Sequence, residues 1–299
     1  MSRTRRRVLA IAVATTLLSL VASCGGGGGG QLAEQSEEEL TDTTVDAGAA
    51  IPTSALESPD GAAAAARELR AVEVGLRADD RDPRRLADLG RRQQLAYRAL
   101  AQHPGWVASV LRDVPAGVRD AVRSNVAAGA ALARLTGTGV SLPSSLPDWR
   151  VLAPLPASTL RDSYAAAEAA TGVPWAYLAA IHLVETRMGR IHGTSTAGAR
   201  GPMQFIPETW ASHGEGDIDD DHDAIQAAGR YLASRGAPDD MDRALFSYNN
   251  DDRYVTAVKA YAATMLADPR AYDGYHAWQV FYATQERAYV LPEGYAGGA

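Results

Sequence analysis

The sequence is poor in cysteine, lysine and histidine. Cys24 is the single cysteine, so no intramolecular disulfide can form. Lys259 is the single lysine, and arginine supplies the rest of the basic charge. The six histidines are scattered without metal-ligand spacing, and no Gly-x-Ser-x-Gly segment occurs. The sequence therefore predicts neither a zinc site nor a hydrolase of the nucleophile-elbow type.

Excess negative charge is concentrated near the N-terminus. The formal net charge is −7, and residues 24–60 contain eight acidic residues and no basic ones. The remainder shows no basic surface that could follow a nucleic-acid backbone, so we expect no nucleic-acid partner. The 299 residues suffice for one large domain or two smaller ones.

The first 24 residues have the pattern of a bacterial lipoprotein signal. A basic start with four arginines precedes the apolar segment 8–21, which is short for a membrane span. The sequence Val-Ala-Ser-Cys ending at Cys24 matches a lipobox, in which the cysteine is lipidated and becomes the mature N-terminus. The pattern predicts an exported protein, lipid-anchored on the outer face of the cell membrane. An uncleaved anchor is the alternative, and twin-arginine export stays open.

Composition divides the chain into five parts. Residues 1–23 form the signal, and residues 24–60 are an acidic tether that we expect to be disordered. Residues 61–136 have helical patterning and no catalytic motif, which favours an accessory region packed on the next domain over a separate binding function. Residues 137–156, rich in Gly, Ser and Pro, form a linker. Residues 157–299 have well-marked helix ends and an aromatic tail, and we expect them to form the main domain.

Glu185 interrupts an apolar helical pattern. The spacing of Trp175, Leu178, Ile181 and Glu185 places them along one side of a helix that Pro174 opens. A desolvated carboxyl has a raised pKa and keeps its proton nearer neutral pH, as a general acid requires. The alternative is a structural glutamate paired with a nearby arginine, either Arg187 or Arg190.

Two later segments add polar groups suited to a sugar. Gly201-Pro202-Met203-Gln204-Phe205 combines a constrained turn with the amide of Gln204, which both donates and accepts hydrogen bonds. The segment Ser247-Tyr248-Asn249 adds a phenol and a second amide. A core tyrosine and a helix-capping asparagine are the plain structural alternatives.

These three segments, in this order, resemble the lytic transglycosylases with a goose-lysozyme-like fold. The family pattern is Glu-Ser, then Gly-Leu-Met-Gln, then Ala-Tyr-Asn, so Thr186, Pro202 and Ser247 depart from it. The form Met-Gln-Phe-x-Pro-x-x-Trp resembles a secreted actinobacterial branch. The resemblance covers residues 157–270 and implies a mainly α protein, with a lysozyme-like catalytic domain and an N-terminal helical accessory region.

The resemblance also implies roles for the site residues. Glu185 corresponds to the single catalytic acid/base, and Tyr248 to the tyrosine that positions it. Gln204 and Met203 correspond to the part that contacts the N-acetylmuramic acid. The full set of residues for which the resemblance implies substrate binding is Thr186, Met203, Gln204, Phe205, Tyr248 and Asn249.

Peptidoglycan glycan strands are the implied substrate, and no cofactor is needed. In the family, the substrate's N-acetyl group assists bond cleavage, the muramic O6 attacks C1, and a 1,6-anhydromuramoyl end forms without water. Glu208, the one other acid in these motifs, lies just after Pro207 and is better explained by the helix dipole. A lysozyme-like hydrolase and a non-catalytic wall-binding lipoprotein remain alternatives.

A weak calcium pattern precedes residue 224. Asp217, Asp219 and Asp221 alternate like the start of a calcium loop. An EF-hand needs glycine at the sixth position and glutamate at the twelfth, where His222 and Ala228 stand. A solvated loop with a helix cap is the favoured interpretation.

Overall fold

The computed structural model describes residues 48–137 and 141–297. The signal segment and residues 24–47 of the tether, which include Cys24, lie outside this range. The described residues contain eleven α-helices: α1 Ala62–Leu76, α2 Pro83–Gln102, α3 Val107–Asp113, α4 Ala116–Gly137, α5 Ala157–Thr171, α6 Trp175–Thr186, α7 Pro207–His213, α8 Asp221–Ser234, α9 Met241–Tyr248, α10 Asp252–Ala267 and α11 Ala271–His276. The predicted mainly α class is confirmed.

Helix ends follow local chemistry in the sequence. Asp240 and Asp251 cap α9 and α10 by accepting backbone N–H bonds. Gly172 ends α5 in the left-handed conformation, as predicted. The cap of α8 is Asp220, whose carboxylate accepts from the backbone N–H of Asp223.

The accessory helices and the catalytic segment share one hydrophobic core. This core is one continuous cluster of buried side chains, which includes Ala65 on α1 and Trp278 after α11. The amide of Gln94 on α2 both donates to and accepts from the backbone of Gln279, at 2.9 and 2.8 Å. Tyr275 donates to Asn125 on α4 at 3.0 Å. The helices of residues 61–136 therefore pack directly on those that follow residue 157; their role as an accessory region stays a prediction.

Two small antiparallel sheets join segments that are distant in sequence. Strands β1 Ile51–Pro52, β5 Ala288–Leu291 and β4 Val280–Ala283 form one sheet in the order β1-β5-β4. Strand β2 Arg150–Val151 pairs with β3 Ile191–His192. The prediction of a disordered tether through residue 60 is wrong at its end, because β5 supplies backbone partners to β1. The linker likewise contains a strand.

Helix α6 lies at the centre of the catalytic part. Every residue from Leu178 to Thr186 is buried, so the helix has no exposed side. Neighbouring helices, α5, α8 and α10 among them, cover the helix on all sides. Among the described residues, no helix is long and apolar enough to cross a membrane.

Candidate active site

The Glu185 carboxyl is buried on α6 with one hydrogen-bond donor. Its side chain is 1% exposed, and the Tyr254 hydroxyl donates to Oε1 at 2.8 Å. Oε2 has no partner among the described residues. Burial raises the pKa of Glu185 to about 8, and the Tyr254 hydrogen bond partly opposes this shift. The carboxyl is therefore protonated at neutral pH and can give up a proton.

Tyr254, not Tyr248, holds the glutamate. The Tyr248 hydroxyl donates instead to the backbone carbonyl of Met203 at 2.6 Å. The two phenol rings lie parallel, with centroids 6.3 Å apart. The positioning role implied for Tyr248 was therefore wrong. Tyr254 lies in the first turn of α10, outside the three motifs, and its place on the apolar side of that helix was the available signal.

The three motifs are joined by hydrogen bonds to the backbone. The Thr186 hydroxyl, one residue after the glutamate, donates to the carbonyl of Pro202 at 2.6 Å. It also accepts from the N–H of Gly189 at 3.1 Å. The Tyr248 bond to Met203 then ties the third motif to the second. Hydroxyl groups thus hold the turn at 201–204 against both α6 and α9.

The turn at residues 201–204 depends on backbone conformations that few residues adopt. Gly201 has φ +73°, and a Cβ there would lie 1.9 Å from the carbonyl oxygen of Ile218. Gln204 has φ +51°, and its side-chain amide donates to the Gly201 carbonyl at 2.9 Å. A left-handed glutamine is uncommon. The side-chain bond holds this conformation in place, next to the catalytic helix.

The remaining residues expected to bind substrate have different surroundings. The Asn249 amide nitrogen is buried without a partner among the described residues. The Phe205 ring packs edge-on against Trp210 and tilted against Tyr248. The Met203 side chain is fully buried. The Asn249 amide therefore has a donor that could bind a ligand, whereas Phe205 and Met203 pack against the turn. Contact of these three residues with substrate stays a prediction.

In the described part of the chain, no second carboxylate accompanies Glu185. Glu208 is exposed in the first turn of α7, as the helix-dipole interpretation expected. The arginines considered as structural partners have other contacts. Arg187 donates to the Leu183 carbonyl at 2.7 Å, and Arg190 donates to the Arg187 carbonyl at 3.3 Å. The structural ion pair weighed against a functional acid is therefore not formed.

A groove of about 480 Å³ lies beside the turn. Gly189, Gly201 and Pro202 line one side, which connects the groove to the hydrogen bonds of Thr186. Trp149 and Arg150, from the segment considered a linker, line another side. Glu185 itself does not line the groove. The sequence did not reveal that Trp149 and Arg150 line the groove, because β2 reaches this place only through its pairing with β3.

The three calcium candidates do not converge. Asp219 forms an ion pair with Arg200 at 2.6 Å, and Asp217 accepts from the backbone N–H of Asp219. Asp221 lies 3.1 Å from His182. In the described part of the chain, no group of three or more potential ligands could hold a metal ion. The three aspartates have separate contacts, namely a turn hydrogen bond, an ion pair and the contact with His182.

The comparisons with known proteins agree with this geometry. Residues 162–268 match the family model described as "Transglycosylase SLT domain". Residues 162–268 are therefore similar to the transglycosylase SLT domain, and the predicted lysozyme-like fold of this part is confirmed. Glu185, the turn at 201–204, Tyr248 and Tyr254 all lie inside the matched segment, whereas Trp149 lies outside it.

One curated relative is the membrane-bound lytic murein transglycosylase F of Thiobacillus denitrificans. It is 29% identical over 147 residues. The alignment covers 46% of this chain and 31% of the relative, so the chain spans about a third of that protein's length. No solved structure matches the chain significantly.

Proposed function

We propose that the protein is a peptidoglycan lytic transglycosylase that cleaves the β-1,4 bond between N-acetylmuramic acid and N-acetylglucosamine. One observation carries the proposal: Glu185 is a buried acid that, among the described residues, has one oxygen without a partner and no second carboxylate beside it. Burial raises its pKa, which favours the protonated form that a general acid needs. Ordinary glycoside hydrolysis uses a pair of carboxylates. A lone acid suits a reaction in which the substrate supplies its own nucleophile.

The first step is proton transfer to the leaving group. Glu185 gives its proton to the glycosidic oxygen as the bond from that oxygen to C1 of the muramic acid breaks. The N-acetylglucosamine side leaves with a hydroxyl group. The substrate's own N-acetyl oxygen stabilises the cationic C1, and Tyr254 donates to the carboxylate that has just formed.

In the second step Glu185 acts as a base. Its carboxylate takes the proton of the muramic O6 hydroxyl while O6 bonds to C1. The product is a 1,6-anhydromuramoyl end, no water is consumed, and the enzyme regains its proton. The amides of Gln204 and Asn249 bind the acetamido and hydroxyl groups, and neighbouring glycan occupies the groove beside Trp149.

Mass spectrometry of digested sacculi tests this reaction. Wild-type protein and a Glu208→Gln control should release anhydro ends, since Glu208 is exposed and away from the acid. Glu185→Gln should release none. Retained cleavage by Glu185→Gln would refute the role of Glu185. Products heavier by one water would instead identify a lysozyme-like hydrolase.

We also propose that lipid on Cys24 anchors the exported protein to the membrane. The lipobox ending at Cys24 supports this, and the curated relative is named as membrane-bound. Expression of wild type and Cys24→Ser in a bacterial host with lipoprotein processing provides the test. Wild type should fractionate with membranes and Cys24→Ser should not; equal membrane recovery of both would contradict the anchor.

A further inference from the structure

A second cavity lies between the accessory helices and the catalytic part. It has a volume of about 250 Å³ and is lined by residues of α2, α4 and α10 together with Arg187 after α6. Its walls are mainly apolar and include Leu100, Pro104, Val107, Val126 and Ala130. The volume is slightly below that of pockets for drug-sized ligands, which favours a smaller one.

Two buried arginines line this apolar cavity. Arg98 is 7% exposed and Arg187 is 4% exposed. Within residues 48–137 and 141–297, neither forms an ion pair with a carboxylate. Burial lowers the pKa of both, and that of Arg98 falls to about 10 with the added repulsion of Arg187. A buried cation without an anion is costly, so two together call for an explanation.

Guanidinium and phenol donors belong to residues that line the cavity. The Arg98 guanidinium lies 4.0 Å from the centre of the Phe281 ring, and Arg187 donates from Nη1 to the Leu183 carbonyl. Each guanidinium carries five N–H donors, so most of them have no acceptor among the described residues. The Tyr261 hydroxyl also lines the cavity and has no acceptor among the described residues. An anionic group in the cavity would complement both arginines in charge and in hydrogen bonding.

We propose that this cavity binds a small organic carboxylate with an apolar body, such as a medium-chain fatty acid. Its carboxylate accepts from Arg98 and Arg187, and its hydrocarbon part packs on the walls from α2 and α4. Guanidinium groups match carboxylates in geometry and charge. The site shares no lining residue with the groove beside Trp149, so this binding goes beyond glycan cleavage.

Two glycines of α4 provide a matched pair of variants. Gly129 lines the cavity, and a Cβ built there meets no atom within 4 Å. Methionine at this position would extend into the cavity without a backbone clash. Gly117 lies on the same helix, is equally open and does not line the cavity. Gly129→Met therefore blocks the site, and Gly117→Met controls for the substitution itself.

Calorimetric titration with octanoate and with octanamide tests the proposal. Octanoate should bind about tenfold or more tightly than the neutral amide, because bonds to charged donors are the stronger ones. Gly129→Met should abolish octanoate binding, and Gly117→Met and Glu185→Gln should retain it. Arg98→Met should bind both probes alike. Absent octanoate binding, equal affinity of wild type for both probes, or unchanged binding by Gly129→Met would overturn the proposal.

Discussion

Two equally buried carboxyl groups, one in each half of the molecule, have opposite surroundings. Glu73 on α1 is fully buried, and Arg77, Gln93 and Tyr97 all donate to its oxygens. Glu185 on α6 is 1% exposed, receives one hydrogen bond and keeps one oxygen unpaired. Burial alone therefore does not distinguish a structural acid from a reactive one; the number of donors does.

The difference has a physical basis. Three donors, one of them a cation, satisfy the Glu73 carboxylate and fix α1 against α2. A group held in this way has nothing left to exchange with a substrate. Glu185 lacks a cationic partner, so burial dominates its protonation and leaves a proton to transfer. Replacing each glutamate by glutamine in turn separates these two cases.

The largest expected effect is on the activity of Glu185→Gln. Glutamine fits the same space but cannot transfer a proton, so glycan cleavage should fall by about 10³-fold or more. Glu73→Gln should keep wild-type activity per folded molecule. The measurement is the rate at which each variant releases soluble fragments from sacculi. Each rate is divided by the amount of folded protein, which circular dichroism determines. Similar losses of activity in Glu185→Gln and Glu73→Gln would contradict the proposal that only Glu185 takes part in the reaction.

The pH dependence of stability should come next in size. An unfolded Glu185 loses its proton near pH 4.5, whereas the folded one keeps it until about pH 8. Between these values the folded state binds more protons, so this group lowers stability as pH rises, by up to about 1.4 kcal/mol per pH unit. Glu185→Gln removes the effect. Urea unfolding at pH 5 and pH 8 measures the free energy of unfolding of both proteins. The stability of Glu185→Gln relative to wild type should be higher at pH 8 than at pH 5. An equal difference between the two proteins at both pH values would contradict the raised pKa.

Glu73→Gln should lose stability instead of activity. The new amide nitrogen would face the Arg77 guanidinium, donor against donor, in a site where that arginine is 13% exposed. Breaking a buried ion pair in this way costs about 3 kcal/mol. Urea unfolding at pH 7 measures the loss. A change below 1 kcal/mol (on the order of a surface pair) would show that Glu73 is not the structural counterpart of Glu185.

The smallest expected effect is that of Tyr254→Phe. The Tyr254 hydrogen bond lowers the pKa of Glu185, so its removal should raise that pKa and move the alkaline limb of the activity profile to higher pH. The rate should fall about tenfold, the value of one hydrogen bond to a charged group. Tyr248→Phe is the control, because its hydroxyl bonds the Met203 carbonyl. If the alkaline limb of the activity profile shifted in Tyr248→Phe and not in Tyr254→Phe, Tyr248 would be the residue that positions Glu185.

Local patterns in the sequence predicted much of the helical fold. Gly172, Pro207 and Asp251 mark helix ends through their own backbone or side-chain chemistry. Glu185 stood out because an acid inside an apolar run is rare. Information of this kind is contained within a few residues, so a single sequence reveals it.

Contacts between distant segments were the part that the sequence did not reveal. Tyr254 reaches Glu185 across 69 residues, and no spacing rule links the two. The pairing of β1 with β5 depends on backbone groups, which every residue carries. Arg98 and Arg187 likewise meet only through packing of the accessory helices. These features follow from tertiary placement, which local propensity does not specify.

The pairing of Ile51 with Val290 limits how far a lipid-anchored enzyme could work from its membrane. If the lipid is on Cys24, 27 residue steps separate it from the folded body. Fully stretched, they span about 90 Å. Had the folded body begun after residue 60, the span would have been longer by about 30 Å. The short strand thus sets the maximum depth of wall that one anchored molecule can reach.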